Sequence, residues 1–318
     1  MKILLLGHYH RSMIEELATR HDVAHVKDGD FSRHLRDIDA VVLRSHVAIT
    51  SADIERAKRL SLIVKAGSGF DNIDMRAARA RGIEVVSTPA ASRSVADHAV
   101  ALLLCAWRRL PLYTSELRAG NWAIKYQELA RDIEGQRLGI LGFGQIGRIM
   151  AARSAAMGFK ISVFDRSPMK PEKRAAAEQT GASFMNLDEL LGDCSALSVH
   201  LPLTRETEGM IGEAEFDLMP EGVVLVNTGR AGIFRKSALL AALRSGKVAG
   251  AGFDVFHSEP LGPTDELLDF QNVFCTPHVG AQTREAMERV GAAVVGRIEK
   301  HAAALSRSMK EQNSVISG

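Results

Sequence analysis

Cysteine is scarce in this sequence: Cys105, Cys194 and Cys275 are the three in 318 residues. They are odd in number, far apart and each set in an apolar stretch, which argues against both a disulfide framework and a clustered metal site. No metal is expected, and a reducing, cytoplasmic setting is. Net charge is nearly as scarce, because 40 Lys and Arg stand against 38 Asp and Glu, leaving +2. Binding nucleic acid without regard to sequence needs positive charge clustered on one face, whereas the basic residues here are interleaved with acidic ones. No nucleic-acid partner is expected. Long apolar runs are also missing. The longest, from Ala99 to Trp107, is about half of the ~20 residues that a membrane-spanning helix requires. The opening stretch from Met1 to Gly7 is too short for a secretory core and reads as a buried strand, so membrane insertion and export are not expected.

What the sequence does have is the composition of an ordinary folded protein, 46% hydrophobic and 25% charged,. At roughly 100–200 residues per domain the length predicts two domains. Short apolar runs rich in β-branched residues alternate with helical patterns, the signature of parallel sheets with crossover helices, so the fold class is α/β. Strands are predicted at 2–6, 40–43, 62–65 and 83–86, with helices at 11–19, 52–59 and 75–81. A long helix is predicted over 94–117, followed by a polar loop at 121–134 where the chain is expected to cross between domains. The second series of strands is more regular, at 137–141, 160–164, 196–200, 223–227, 248–253 and 273–276. A last helix over 283–304 has no strand after it, and the polar tail from Ser306 to Gly318 is expected to fray,.

Between the strand ending at Leu141 and the helix after it lies Gly142-Phe143-Gly144-Gln145-Ile146-Gly147, a Gly-x-Gly-x-x-Gly. The first glycine permits a tight turn, the second lets backbone approach a pyrophosphate, and the third lets helix and strand pack closely, with phosphate facing the positive end of the helix. Gly142, Gly144, Gln145, Ile146 and Gly147 are therefore candidate dinucleotide contacts. Asp165 ends the next strand, 165 − 142 = 23 residues on from the first glycine. Its carboxylate can accept hydrogen bonds from both ribose hydroxyls of NAD, whereas a 2′-phosphate about 4 Å away would be repelled by up to about 4 kcal/mol at an effective dielectric of 20. NAD is the expected cofactor. Arg166, beside the acid, offers a cation to a phosphate or a flat face to the adenine, which leaves NADP as the less favoured second choice.

Three later segments each follow a predicted strand: Asn227-Thr228-Gly229-Arg230, Asp254-Val255-Phe256-His257-Ser258-Glu259-Pro260 and Thr276-Pro277-His278-Val279-Gly280. Ligands of open parallel sheets lie beyond the carboxyl ends of the strands, so Arg230, Glu259 and His278 can converge there. Removing a hydride from the carbon of an alcohol must be matched by a proton leaving its oxygen. Histidine suits that at neutral pH, a carboxylate partner orients the ring and favours its protonated form, and an arginine fork suits a substrate carboxylate.

Together with Gly67-Ser68-Gly69-Phe70-Asp71-Asn72-Ile73-Asp74, the stretch Ser94-Val95-Ala96-Asp97-His98 and His200-Leu201-Pro202-Leu203-Thr204, these segments make a chain that resembles the D-isomer-specific 2-hydroxyacid dehydrogenase family along nearly its whole length. The resemblance implies two doubly wound parallel-sheet domains, with a Rossmann-type nucleotide domain (99–282) inserted into a discontinuous substrate domain (1–98 plus 283–318). It gives Arg230, Glu259 and His278 the catalytic roles just described. It places His200, Pro202, Thr228 and Asp254 along the cofactor, Asp254 near the nicotinamide amide, and hands the substrate to Arg44 and the Gly67, Ser68 and Gly69 backbone. Ser92, Asp97, Gly229 and Ala231 depart from the family's usual residues.

The activity implied is NAD-dependent interconversion of a small D-2-hydroxy acid and its 2-keto acid, with 3-phosphoglycerate, glyoxylate and hydroxypyruvate as candidates. Arg44 stands where phosphoglycerate dehydrogenases carry a substrate-binding arginine. A homodimer through the nucleotide domain is implied as well. The alternative is an NAD-sensing binding protein of the co-repressor kind, which uses the same fold without physiological turnover.

Overall fold

The computed structural model describes residues 1–168 and 170–316, with side chains through residue 307. Five strands, β1 (Lys2–Leu6), β2 (Asp22–Val26), β3 (Ala40–Leu43), β4 (Leu62–Lys65) and β5 (Glu84–Ser87), form one sheet in the order β2-β1-β3-β4-β5. Seven more form a second: β6 (Arg137–Leu141), β7 (Lys160–Phe164), β8 (Ser183–Phe184), β9 (Ala196–Val199), β10 (Val223–Asn227), β11 (Val248–Phe253) and β12 (Val273–Cys275). Their order is β12-β11-β10-β9-β6-β7-β8, and every pairing in both sheets is parallel. Both are doubly wound. The strand order reverses between β1 and β3 in the first sheet and between β6 and β9 in the second, and in such sheets ligands lie at those switch points.

Central strands covered by helices on both faces are apolar along most of their length. β3, β4, β9 and β10 are buried at every residue, and each buried leucine or valine there contributes about 1.5–3 kcal/mol. These runs are what make the strands readable. β2 is a different case: it lies at the sheet edge, and Asp22 and His25 interrupt its apolar pattern. It pairs with β1 all the same, from Lys2 opposite Asp22 to Leu6 opposite Val26. β8, only two residues long, leaves no pattern to detect.

The chain divides into a smaller unit, Met1–Ala91 with Gln282–Gly318, and a larger unit inserted into it, Ser92–Ala281. The crossing expected at 121–134 is not there; that stretch lies inside the larger unit and carries the short helix Ile124–Gln127. The division also falls between Ala91 and Ser92 and not at 98/99, because the helix Ser92–Trp107 belongs wholly to the larger unit. Its packing explains why. A Cβ on Gly252 of β11 would lie 2.7 Å from Leu102 Cβ, so the helix can press onto the sheet only where the side chain is missing. Ser92 Oγ donates to Gln145 Oε1 at 3.0 Å and Arg153 Nη1 meets Asp97 Oδ1 at 2.5 Å. Two of the departures from the family pattern thus tie this helix to the one after the glycine loop.

The single helix expected over 94–117 is two, Ser92–Trp107 and Leu110–Arg118, with Arg109 at φ 52° between them. Pro111 has no N–H to give Trp107 and its ring would clash with that carbonyl, so one continuous helix cannot pass through. In the smaller unit the last helix, Arg284–Ile316, buries Ala286, Val290, Val294 and Ile298, a spacing of four that puts them on one face,. That face lies against the helix Arg11–Ala18, where a Cβ on Gly291 would come 3.2 Å from Met13 Cβ. The helix backbone continues through Ile316, where fraying from Ser306 is expected; Ser317 and Gly318 lie outside the described residues. Among the described residues no helix is long and apolar enough to cross a membrane, and no cluster of three His, Cys, Asp or Glu is placed to hold a metal ion.

Candidate active site

The glycine loop stands at the switch point of the larger sheet. Gly142 follows β6 at φ 95°, in the left-handed region that favours glycine,. A Cβ on Gly147 would lie 2.1 Å from the Gly142 carbonyl oxygen, so the helix Gln145–Ala156 can sit against the turn only because that atom is missing. Gly144 caps this helix with no side chain, and nothing lies within 4 Å of where its Cβ would be. Gln145 is exposed and Ile146 half-buried in the first turn.

Asp165 follows β7 and is almost fully enclosed. Its Oδ2 accepts the Phe143 amide at 2.8 Å; its Oδ1 accepts the Ser167 amide at 2.7 Å and Lys173 Nζ at 2.5 Å. Burial works to raise its pKa, but hydrogen bonds from Lys173 and the two amides outweigh it and hold the carboxyl below the usual range. Arg166 points elsewhere, half-exposed with Nη1 3.5 Å from Glu206 Oε2. Lys173 escapes sequence reading, since a lysine in the first turn of a polar helix carries no pattern.

Two polar atoms near this loop are buried without a partner in the structure, His200 Nδ1 after β9 and Thr228 Oγ1 after β10. Burial pushes the His200 pKa down to about 4, so the ring is neutral, with Nε2 2.9 Å from Ser198 Oγ. Orphaned buried groups are costly unless a ligand satisfies them. With the uncapped helix start, the open space at Gly144 and a carboxylate at the end of β7, they fit a dinucleotide. Pro202 is exposed, its carbonyl taking Thr207 Oγ1 at 2.7 Å.

The proposed acid/base pair is assembled. His278 Nδ1 lies 2.7 Å from Glu259 Oε2, while Glu259 Oε1 accepts the Phe256 amide at 3.0 Å. Burial alone would raise the Glu259 pKa; hydrogen bonds from His278 and Phe256, with the charges of His278 and Arg230, hold it low. Arg230 is positioned by Asn227, whose Nδ2 donates to the Arg230 carbonyl and whose Oδ1 accepts the Gly229 amide, both at 2.9 Å. Gly229, another departure from the family pattern, sits where a Cβ would come 3.1 Å from the Val199 carbonyl.

His278 itself has φ 54°, a left-handed conformation uncommon for any residue with a side chain,. Asp254 holds it there. This carboxylate is 2% exposed and accepts the Val279 and Gly280 amides at 2.8 Å each and Thr276 Oγ1 at 2.7 Å, so three of its donors come from the residues flanking His278. His98 Nε2 adds to the set, 2.8 Å from Thr276 Oγ1 and 3.4 Å from Asp254 Oδ1. Burial pushes the Asp254 pKa up, yet His98, Thr276 and the two amides bring it below the ordinary value. His98, to which the sequence assigns no catalytic or binding role, is part of this clamp.

Arg44, Gly67, Ser68 and Gly69 belong to the smaller unit. Arg44 is buried at the end of β3, its Nη1 3.6 Å from Met287 Sδ, and it meets no carboxylate among the described residues. Lys65, fully buried, donates to Asn72 Oδ1 at 2.8 Å, and Asn72 Nδ2 donates to the carbonyls of Arg44, at 3.0 Å, and Val47. This pair fixes the Arg44 loop. Gly67 follows β4 at φ 155°, and Ser68 and Gly69 continue the loop at the surface.

Residues 100–280 match the model for the D-isomer specific 2-hydroxyacid dehydrogenase, NAD binding domain. The chain is 40% identical over 281 residues to a hydroxypyruvate reductase of Thermotoga maritima, covering 87% of this chain and 89% of that protein. It is 36% identical over 296 residues to a D-3-phosphoglycerate dehydrogenase of Archaeoglobus fulgidus, covering 92% of this chain but 55% of the other, so it spans about half the length of that relative. Among solved structures it is similar to a glyoxylate reductase of Paecilomyes thermophila, with 32% identity, a TM-score of 0.84 and 94% of each chain covered. A D-lactate dehydrogenase of Aquifex aeolicus, solved with NAD and lactic acid, matches at 26% identity, a TM-score of 0.85 and 97% of each chain.

Proposed function

The chain belongs to the D-isomer specific 2-hydroxyacid dehydrogenase family, and on that premise we propose that it interconverts a D-2-hydroxy acid and its 2-keto acid with NAD. The observation that carries this reading is the 2.7 Å contact between His278 and Glu259, in one unit with the glycine loop. NAD, held by Gly142 to Gly147, Asp165, His200 and Thr228, supplies the two-electron exchange. In oxidation His278 accepts the proton of the substrate hydroxyl; in reduction it returns one to the carbonyl oxygen. Glu259 fixes the ring through Nδ1, leaving Nε2 for that proton. Arg230 binds the substrate carboxylate and polarises the adjoining carbonyl. Arg44 and the Gly67, Ser68 and Gly69 amides are assigned to the substrate too.

The substrates named for the relatives, hydroxypyruvate and 3-phosphoglycerate, together with glyoxylate, support a small acid with a short or anionic tail. A homodimer is proposed through the larger unit. There Leu117, Trp122, Tyr126 and Leu129 are 54%, 67%, 77% and 75% exposed within one short stretch, an apolar surface of the kind that marks association. The test is a panel of glyoxylate, hydroxypyruvate, pyruvate and 3-phosphohydroxypyruvate with NADH. Turnover of at least one is expected; NADH binding with turnover of none would replace this reading by the NAD-sensing binding protein.

A further inference from the structure

The carboxylate that selects NAD in a loop of this kind acts in two ways: it accepts hydrogen bonds from the ribose hydroxyls and it repels a 2′-phosphate. Only the second depends on its net charge, and here that charge is cancelled. Lys173 Nζ sits 2.5 Å from Asp165 Oδ1 and 3.2 Å from Ser167 Oγ. The two side chains are 11% and 8% exposed, so solvent does little to screen the pair.

The position of the lysine is unusual. It lies in the first turn of the helix Pro171–Thr180, where the positive end of the helix dipole disfavours a cation,. Glu172, in the same turn, is the residue placed as that end prefers. Lys173 is kept there by Asp165. Nearby, Arg166 and Glu206 face each other at 3.5 Å, Glu206 also accepting Thr204 Oγ1 at 2.7 Å, and Arg148 Nη1 donates to the Glu172 carbonyl at 3.1 Å. Asp165 Oδ1 is filled by the Ser167 amide and hydroxyl and Lys173 Nζ, whereas Oδ2 accepts the Phe143 amide and keeps a lone pair with which a ribose hydroxyl can still be accepted,.

We infer that Lys173 is a specificity-determining residue that neutralises Asp165 and thereby admits NADP as well as NAD. The chain then favours NAD through hydrogen bonding alone and rejects the 2′-phosphate weakly. This rests on the assignment of the glycine loop to the dinucleotide, and the experiment separates the two. NADH and NADPH dissociation constants are measured by fluorescence titration, without substrate, for the wild type, Lys173→Met, Lys173→Gln and Lys173→Arg. If the wild type binds neither, the loop assignment itself fails, and this inference with it. The wild type is expected to bind both within about tenfold. In Lys173→Met and Lys173→Gln the NADPH-to-NADH ratio of dissociation constants should rise about tenfold or more, with NADH changed least, while Lys173→Arg stays close to wild type. An unchanged ratio in both uncharged variants overturns the inference. So does equal weakening of both dinucleotides, which would make the pair a structural support for the loop; because the readout is a ratio on folded protein, a Lys173→Met variant that fails to fold leaves Lys173→Gln to decide.

Discussion

The two sheets obey one topological rule and end in sites of opposite character. At the switch point of the smaller sheet the buried charged groups are cations, Arg44 and Lys65, and Arg44 meets no carboxylate among the described residues. In the larger unit the enclosed carboxylates, Asp165 and Asp254, are each surrounded by donors, and Asp165 is paired with the equally enclosed Lys173. The buried side-chain polar atoms without partners there, among the described residues, are uncharged: one imidazole nitrogen and two hydroxyls, of His200, Thr228 and Ser154. Burying a cation without a counter-ion is costly, which, on the function proposed above, suits the smaller sheet to the substrate's anionic group and the larger to the dinucleotide's hydrogen bonds and to proton transfer. Chemistry should fail on changes to the larger unit, and affinity for the acid on changes to the smaller.

The most severe test is His278→Ala. Loss of a general acid and base should lower both directions by ~10²–10⁴-fold and leave NADH binding intact; retention of most activity would move the chemistry elsewhere. The next sets the two arginines against each other. Arg230→Lys keeps charge but loses the fork, and losing one charge-assisted hydrogen bond should cost about 10–100-fold in kcat/KM, with kcat affected. Arg44→Lys should raise KM by about tenfold and spare kcat. Equal kinetic signatures would erase the distinction between the units.

Asp254→Asn sharpens it from another side. Its carboxyl is held below the ordinary range by His98, Thr276 and two amides against the effect of burial. Its stabilisation is therefore present above the normal carboxylate pKa and lost as pH falls through the depressed value. The variant should be less stable by about 1–3 kcal/mol at neutral pH and should lose stability less steeply in acid, measured by urea unfolding across pH. The smallest effect is expected from Glu259→Gln. Removing the carboxylate that the ring meets at 2.7 Å loses the group that orients His278, so rates in both directions should fall by a few-fold, measured as kcat with saturating dinucleotide. Unchanged rates in both directions would exclude Glu259 from the proton-transfer step.

What could be read from the sequence was whatever is local in the chain. The glycine loop declares itself within six residues because each glycine answers a steric demand at a fixed offset, and Asp165 follows at the spacing of one β-α-β unit. β3 was legible as an unbroken apolar run, and β4 and β10 as apolar runs ending in Lys65 and Asn227. The Asp254 clamp was not, since His98 and Thr276 reach it from distant segments and neither forms a pattern with it. Lys173 was hidden for a similar reason: its partner lies across a turn, and its own helix position argues against a cation. The break at Arg109 was signalled by Pro111 but masked by the apolar periodicity on either side, and β2 was masked by its polar edge residues.

The backbone of His278 sets function against durability. A left-handed conformation costs a residue with a Cβ roughly 1–2 kcal/mol and costs glycine almost nothing, so at this position the residue to which the chemistry is assigned in the proposed mechanism is a poorer choice for the fold than one that could perform none. Selection for stability alone would drift away from histidine here. On the mechanism proposed, its presence is what selection for turnover would leave, written into a single torsion angle.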